Sequence, residues 1–499
     1  MKLYEYSLNE ISKQIRDGEV SALEVTKSVF DRIDEVEGHV DSFVTIMRES
    51  ALESAKSTDS LIAEKRKNNE LSDVSPLAGI PMALKDNMCA YNVGMTASSK
   101  MLENFIAPYD ATVVKHIKES NGVIVGKTNM DEFAMGSSTE TSYFKVTRNP
   151  WDLERVPGGS SGGSAACVAA GESYWSLGSD TGGSIRQPAS LCGVVGMKPT
   201  YGLISRYGIV AFASSLDQVG PITRDVSDCA IVLNGIAKYD VKDSTSLDCA
   251  RPDYTKSLGQ SIKGMKIGVP KEYFGSELDS DVKDKVMDSL NKLSGLGAEL
   301  VEISLPYSDY TMEIYYALAA GEASSNLARY DGIRYGYCDE SIKDVKERII
   351  NTRTHGFGPE VKRRLILGTY LMSSQMYDEY YNRAMKVRTL VCEDMKRALS
   401  LCDCFVSPTT TAPAFRFGEK IQDPISMYRS DAYTTIGNIT GIPSLSMPCG
   451  FVNNLPVGIQ FSSGLFCEEV IFKVAHALEC ELNLKMGLPV IDLKGGSSK

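Results

Sequence analysis

Pro157-Gly-Gly-Ser-Ser-Gly-Gly-Ser-Ala-Ala-Cys-Val-Ala-Ala170 is followed by Gly178-Ser-Asp-Thr-Gly-Gly-Ser-Ile-Arg-Gln-Pro188, and ten of the forty residues from 157 to 196 are glycine. The 42 glycines of the 499-residue chain would put about three there if spread evenly; this density lets backbone approach backbone or ligand closely and permits positive φ. Each stretch is a run of N–H groups ending in a hydroxyl, which is what an oxyanion site requires. A flexible Gly/Ser linker is the plain alternative, but the apolar, compact Ala165-Ala-Cys-Val-Ala-Ala170 argues against it.

Working outward, strands alternate with helices. Residues 77–84 (Leu-Ala-Gly-Ile-Pro-Met-Ala-Leu) form a short apolar run that ends at Lys85-Asp-Asn and reads as a buried strand. Val123–Val125 and Met265–Val269 read the same way; Asp279–Leu296 reads as a helix and Ala298–Ile303 as the strand after it. Ser21-Ala-Leu-Glu24 has capping-box spacing ahead of apolar Val25, Val29, Phe30 and Ile33. This alternation predicts an α/β layered fold. Residues 305–400, rich in helix formers and tyrosine, predict a helical cap-like insertion, and 443–460 returns to sheet-like runs. We expect one large domain over 1–488 and a frayed tail over 489–499.

Composition is that of an ordinary globular protein, 43% hydrophobic and 23% charged. No apolar run approaches the length of a membrane span, and the start lacks the apolar core of a signal peptide, so no membrane partner and a cytoplasmic location are expected. Twelve scattered cysteines without a Cys-x-x-Cys pair predict reduced thiols and no metal site. The net charge of −11 and the lack of a dense basic run beyond Lys362-Arg-Arg364 do not suit a chain that grips nucleic acid by itself.

Three short patterns are decoys. Gly126-Lys-Thr128 lacks the upstream glycine of a phosphate loop, since Asn121 stands there. Asp180-Thr-Gly182 has no second copy to form an aspartic dyad. Gly158-Gly-Ser-Ser-Gly162 fits a nucleophile elbow, but of the four histidines only His355 and His476 follow it, and His476 sits in a helical pattern. A serine without a histidine needs another base, and lysine is the known substitute. Lys85, at the end of a buried run, is the natural candidate.

Taken together, the segments 77–87, 158–164 and 178–188 resemble the amidase signature family. That resemblance implies an α/β/α layered fold with a large mixed β-sheet covered by helices. It also implies a Ser-cisSer-Lys triad: Ser184 as acyl-forming nucleophile, Ser160 as relay with a cis peptide bond before it, and Lys85 as base. The spacings of 24 and 99 residues to Ser184 agree. The N–H groups of Thr181, Gly182, Gly183 and Ser184 become the expected oxyanion donors. Segments 130–140, 196–202, 212–217 and 322–336 resemble a branch whose members are glutaminase subunits of tRNA-dependent amidotransferases. In that branch an arginine, an aspartate and a tyrosine hold glutamine, and the matching positions are Arg364, Asp431 and Tyr315; taken alone, such residues are more often surface charges or core aromatics. The resemblance further implies B and C subunits as partners, Glu-tRNA(Gln) held mainly by the B subunit, with Asp-tRNA(Asn) an open alternative. No cofactor is expected on this chain, with ATP and Mg on the partner subunit. The rival reading is a stand-alone amidase for small or aryl amides.

The chemistry sets one requirement. A free lysine titrates near ~10.4, so neutral amine at pH 7 costs roughly 4–5 kcal/mol. Burial disfavours the ammonium form and reduces that cost, so Lys85 is expected to be buried and at least partly neutral.

Overall fold

The computed structural model describes residues 2–484 and 486–491; within the expected tail, positions 492–499 lie outside the described residues. Eleven strands form one mixed sheet: β1 (Phe43–Ile46), β2 (Pro81–Lys85), β3 (Val123–Thr128), β4 (Trp175–Asp180), β5 (Val195–Lys198), β6 (Gln218–Thr223), β7 (Lys266–Pro270), β8 (Glu299–Ile303), β9 (Cys404–Pro408), β10 (Ser444–Val452) and β11 (Leu455–Ser463). Their order is β1-β3-β2-β4-β6-β5-β10-β11-β9-β7-β8. β2 runs parallel to both β3 and β4, and β7 to both β8 and β9; the remaining pairs are antiparallel.

Side chains of a strand alternate between the two faces, yet every residue of β2, β3, β4, β5, β6, β9 and β11 is buried. Both faces are therefore covered by helices, the α/β/α layering expected. This explains why residues near 80 read as a continuous apolar run. The run is shorter than its sequence suggests, because Leu77–Ile80 turn into the strand instead of joining it. The edge strands β1 and β8 are partly exposed.

Local signals account for the helices. Ser21 caps Ala22–Val40 with a reciprocal Glu24 contact, and Val25, Val29, Phe30 and Ile33 are buried along one face. The Asp279 side chain caps Ser280–Gly295. Helices Thr311–Asn326, Val345–Gly356, Pro359–Leu371 and Asn382–Leu399 fill the stretch between β8 and β9. The twelve cysteines are free thiols, and no described helix is long and apolar enough to cross a membrane.

Two of these helices cross at very short range. A Cβ on Gly368 would fall 1.9 Å from the carbonyl oxygen of Ala320, so Pro359–Leu371 rests directly on the backbone of Thr311–Asn326. Gly368→Ala must push the pair apart, and overpacking of this kind costs about 1–3 kcal/mol. We expect the melting midpoint to fall by roughly 1–3 °C; an unchanged midpoint contradicts the close crossing.

Candidate active site

Lys85 ends β2 with its side chain fully buried. Its Nζ lies 2.7 Å from Ser160 Oγ, 2.8 Å from Ser161 Oγ and 3.2 Å from the Ser179 carbonyl oxygen on β4. β2 and β4 are parallel neighbours, so their carboxyl ends open on one edge of the sheet, where such folds place their sites. The two serines sit just before the helix Gly162–Ala170, and the Gly159–Ser160 peptide is cis. Burial pulls the Lys85 amine down from 10.5 to about 7, against the upward pull of Asp131, Asp180 and Asp217. That is the buried, partly neutral amine the chemistry requires.

Ser184 is the member of the trio with some exposure, 8% against none for Lys85 and Ser160, so it is the hydroxyl a substrate can reach. Its carbonyl oxygen accepts the Ser161 N–H at 3.1 Å, which ties the two glycine-rich turns together. Among the described residues its Oγ makes no hydrogen bond to Ser160. Catalytic hydrogen bonds are commonly long before substrate arrives and tighten in the complex.

The turn after β4 is anchored by an ion pair. Arg186 Nη2 and Nε lie 2.9 and 3.0 Å from the Asp180 carboxylate, with both side chains fully buried. Burial raises Asp180, but Arg186 outweighs it and holds the carboxyl at about 2. Asp180 is therefore a fixed anion, not half of a protease dyad. Its Oδ1 also accepts the Gly183 N–H at 2.9 Å. This corrects one expectation: Gly183 donates to Asp180 and is not a free oxyanion donor. The N–H groups of Thr181, Gly182 and Ser184 have no protein acceptor among the described residues.

Tyr315, on the helix Thr311–Asn326, lies against Gly182; a Cβ there would meet its ring at 2.6 Å, so only glycine fits beneath the tyrosine. Arg364, buried on Pro359–Leu371, gives its Nε to Glu360 at 2.8 Å. The rings of Phe212, Tyr316 and Tyr428 stand 5.2–5.5 Å from its guanidinium, and its Nη groups have no protein acceptor among the described residues. Asp431 is buried; its Oδ2 accepts from Ser137 Oγ at 2.5 Å while its Oδ1 has no hydrogen-bond partner. Burial pushes Asp431 up to about 7, against Ser137 and Arg364. Thr434 ties the Gly182 turn to Asp431, donating from its Oγ1 to Gly182 O at 2.6 Å and from its N–H to Asp431 O at 3.1 Å. A cavity of about 480 Å³, lined in part by Glu132, Ser137, Ser138, Glu360, Arg364 and Tyr428, opens on this end. Lys85 and Ser184 do not line it. Among the described residues no cluster of three His, Cys, Asp or Glu could hold a metal ion.

Sequence reasoning missed Ser161, Asp131, Ser137, Glu360 and Asp217. Each is a single polar residue within or near a segment already quoted, and no spacing marks it. The decoys resolve simply: Lys127 is buried in β3 next to its last residue, its Nζ 3.2 Å from Asp86 and 2.7 Å from Met88 O, and His476 lies in the helix Glu468–Leu482.

Comparison with known proteins agrees with this geometry. A model of the amidase family matches residues 24–472. The A subunit of glutamyl-tRNA(Gln) amidotransferase from Carboxydothermus hydrogenoformans is 56% identical over 479 residues, 96% of this chain and 98% of that protein. The same-named protein of Thermoanaerobacter pseudethanolicus is 55% identical over 96% of this chain and 97% of its own length. The crystal structure of the corresponding A subunit from Thermotoga maritima gives a TM-score of 0.81 at 39% identity and covers 99% of both chains. With a lysine buried against two serines at the sheet edge and a match that runs almost end to end, the chain belongs to the amidase family.

Proposed function

We propose that this chain is the glutamine-hydrolysing subunit of a tRNA-dependent amidotransferase and supplies ammonia for the amidation of Glu-tRNA(Gln). One observation carries the substrate assignment. A guanidinium with free Nη groups and a carboxylate with an unpartnered oxygen are buried at the same end of the site, near the Gly182 turn. An α-amino acid carries the two complementary charges, carboxylate for Arg364 through paired hydrogen bonds and ammonium for Asp431. A small or aryl amide offers neither, and the unpaired buried groups would then count against binding. Near-full-length likeness to amidotransferase A subunits supports the same reading.

In this reading neutral Lys85 takes the proton of Ser160, and Ser160 takes that of Ser184, because a hydroxyl both donates and accepts. Ser184 Oγ attacks the side-chain amide carbon of glutamine. The resulting oxyanion lies on the N–H groups of Thr181, Gly182 and Ser184, and each such donor is worth about 10²–10³ in rate. The proton returns from Lys85 through Ser160 to the departing nitrogen, ammonia leaves, and water then hydrolyses the glutamyl ester on Ser184 by the same relay. The B subunit would hold the tRNA and use ATP and Mg to activate its glutamyl carboxylate, with a small C subunit joining the pair in a cytoplasmic complex. The acidic balance of this chain, −11, suits a subunit that leaves the tRNA to its partner.

Removing the carboxylate grip should separate the two substrate classes. Arg364→Ala is expected to raise KM for glutamine by about 10–100-fold while changing KM for a small uncharged amide little, measured as ammonia release. An equal rise for both amides contradicts the assignment.

The pH dependence follows from Lys85. The base form is the deprotonated amine, and its conjugate acid titrates at about 7, so kcat/KM rises as pH increases through about 7 and falls towards ten-fold per unit below it. Asp431 also titrates near 7 and bears on glutamine binding, so a small uncharged amide isolates the lysine. A profile for that amide that is flat from pH 6 to 9 counts against Lys85 as base.

A further inference from the structure

The turn that carries Ser184 is held from outside, and one of its holders is a buried carboxylate given no role above beyond its upward pull on the Lys85 amine. β4 and β6 pair antiparallel with Asp180 opposite Gln218. One step further along that register brings Thr181 opposite Asp217. Asp217 Oδ1 accepts the Thr181 hydroxyl at 2.7 Å and the Ala213 N–H at 3.2 Å; Oδ2 accepts the N–H groups of Phe212 and Ala213 at 2.9 and 3.1 Å. No Lys, Arg or His nitrogen of the described residues forms an ion pair with it. A buried carboxylate satisfied only by neutral donors is expensive to keep, and here all of its donors belong to the turn after β4 or to the segment 212–217.

That segment reaches the other end of the site. The Phe212 ring faces the Arg364 guanidinium at 5.5 Å. The helix Thr311–Asn326 clamps it: Glu322 Oε2 accepts the Ser215 N–H at 2.9 Å, and Asn326 Nδ2 donates to Phe212 O at 3.1 Å. The same helix presents Tyr315 to Gly182.

We propose that Asp217 is a positioning residue that sets the Thr181–Ser184 turn through the Thr181 hydroxyl and, through Phe212, couples that turn to the guanidinium of Arg364. This rests on the amino-acid amidase reading above. Asp217 touches neither substrate nor reacting atoms; it fixes where the Thr181 N–H points and where the Arg364 cage stands.

A double-mutant cycle tests it, with kcat and KM measured on glutamine and on a small uncharged amide for the full chain together with its partner subunits. Thr181→Val removes the hydroxyl and keeps the shape; it is expected to lower kcat on both amides about 10-fold and to leave KM for glutamine within about two-fold. Thr181→Ser, which restores the hydroxyl, is expected to recover most of that loss. Asp217→Asn is expected to lower kcat as far and also to raise KM for glutamine, while the double variant loses no more kcat than Asp217→Asn alone. Losses that multiply in the double variant, or wild-type kcat in Thr181→Val, overturn the proposal. If Asp217→Asn does not fold, the valine and serine variants at 181 still decide it. Wild-type chain that hydrolyses the small amide but not glutamine would refute the substrate reading instead, and the kcat comparison would stand.

Discussion

The Lys85 amine is carried to the carboxyl end of β2, closed off from water and set 2.7 Å from a serine hydroxyl. An amine in water at neutral pH is an ammonium and cannot accept a proton; the attack by Ser184 can begin only with this one deprotonated. The shift from 10.5 to about 7 corresponds to several kcal/mol of preference for the neutral form, and it arises first from burial. The layered sheet is what makes that burial available, since β2 lies between β3 and β4 with both faces covered. A lysine on an edge strand such as β8, half open to solvent, would remain charged.

The fixed charges around the amine divide the work. Asp180 is neutralised by Arg186 and serves as an anchor whose oxygens also take the Gly183 and Ile185 N–H groups. Asp131 and Asp217 raise the lysine and so oppose its burial; without them the amine would titrate lower still. At the far end, two helices that meet at Gly368 bring Tyr315 and Arg364 to a common site. The site therefore has a rigid catalytic end built on strand termini and a recognition end built on helices, joined by Thr434 and by the segment 212–217.

Much of the catalytic end is legible in the sequence, because glycine density, a hydroxyl at the close of each turn and a lysine ending an apolar run are local signals. The same holds for β2, β3, β7, β8 and the helix capped by Ser21, where periodicity and capping residues act over a few positions. What cannot be read is set by contacts distant in sequence. Arg364 reads as part of a basic surface run, yet the three rings around it come from positions 212, 316 and 428. Gly183 reads as a donor as good as its neighbours, but the carboxylate three residues earlier folds back onto it. Ser161 differs from Ser160 only by one position, and nothing short of coordinates shows that both hydroxyls reach the same amine.

The most direct measurement is the titration of that amine in the resting protein, by NMR of chain labelled at the lysine side chains. Two buried lysines, Lys85 and Lys198, are both brought to about 7, so two resonances should titrate near neutrality. One of them should vanish in Lys85→Met. If the resonance lost in that variant titrates near ~10, as an ordinary lysine does, Lys85 is an ammonium at neutral pH and the account fails.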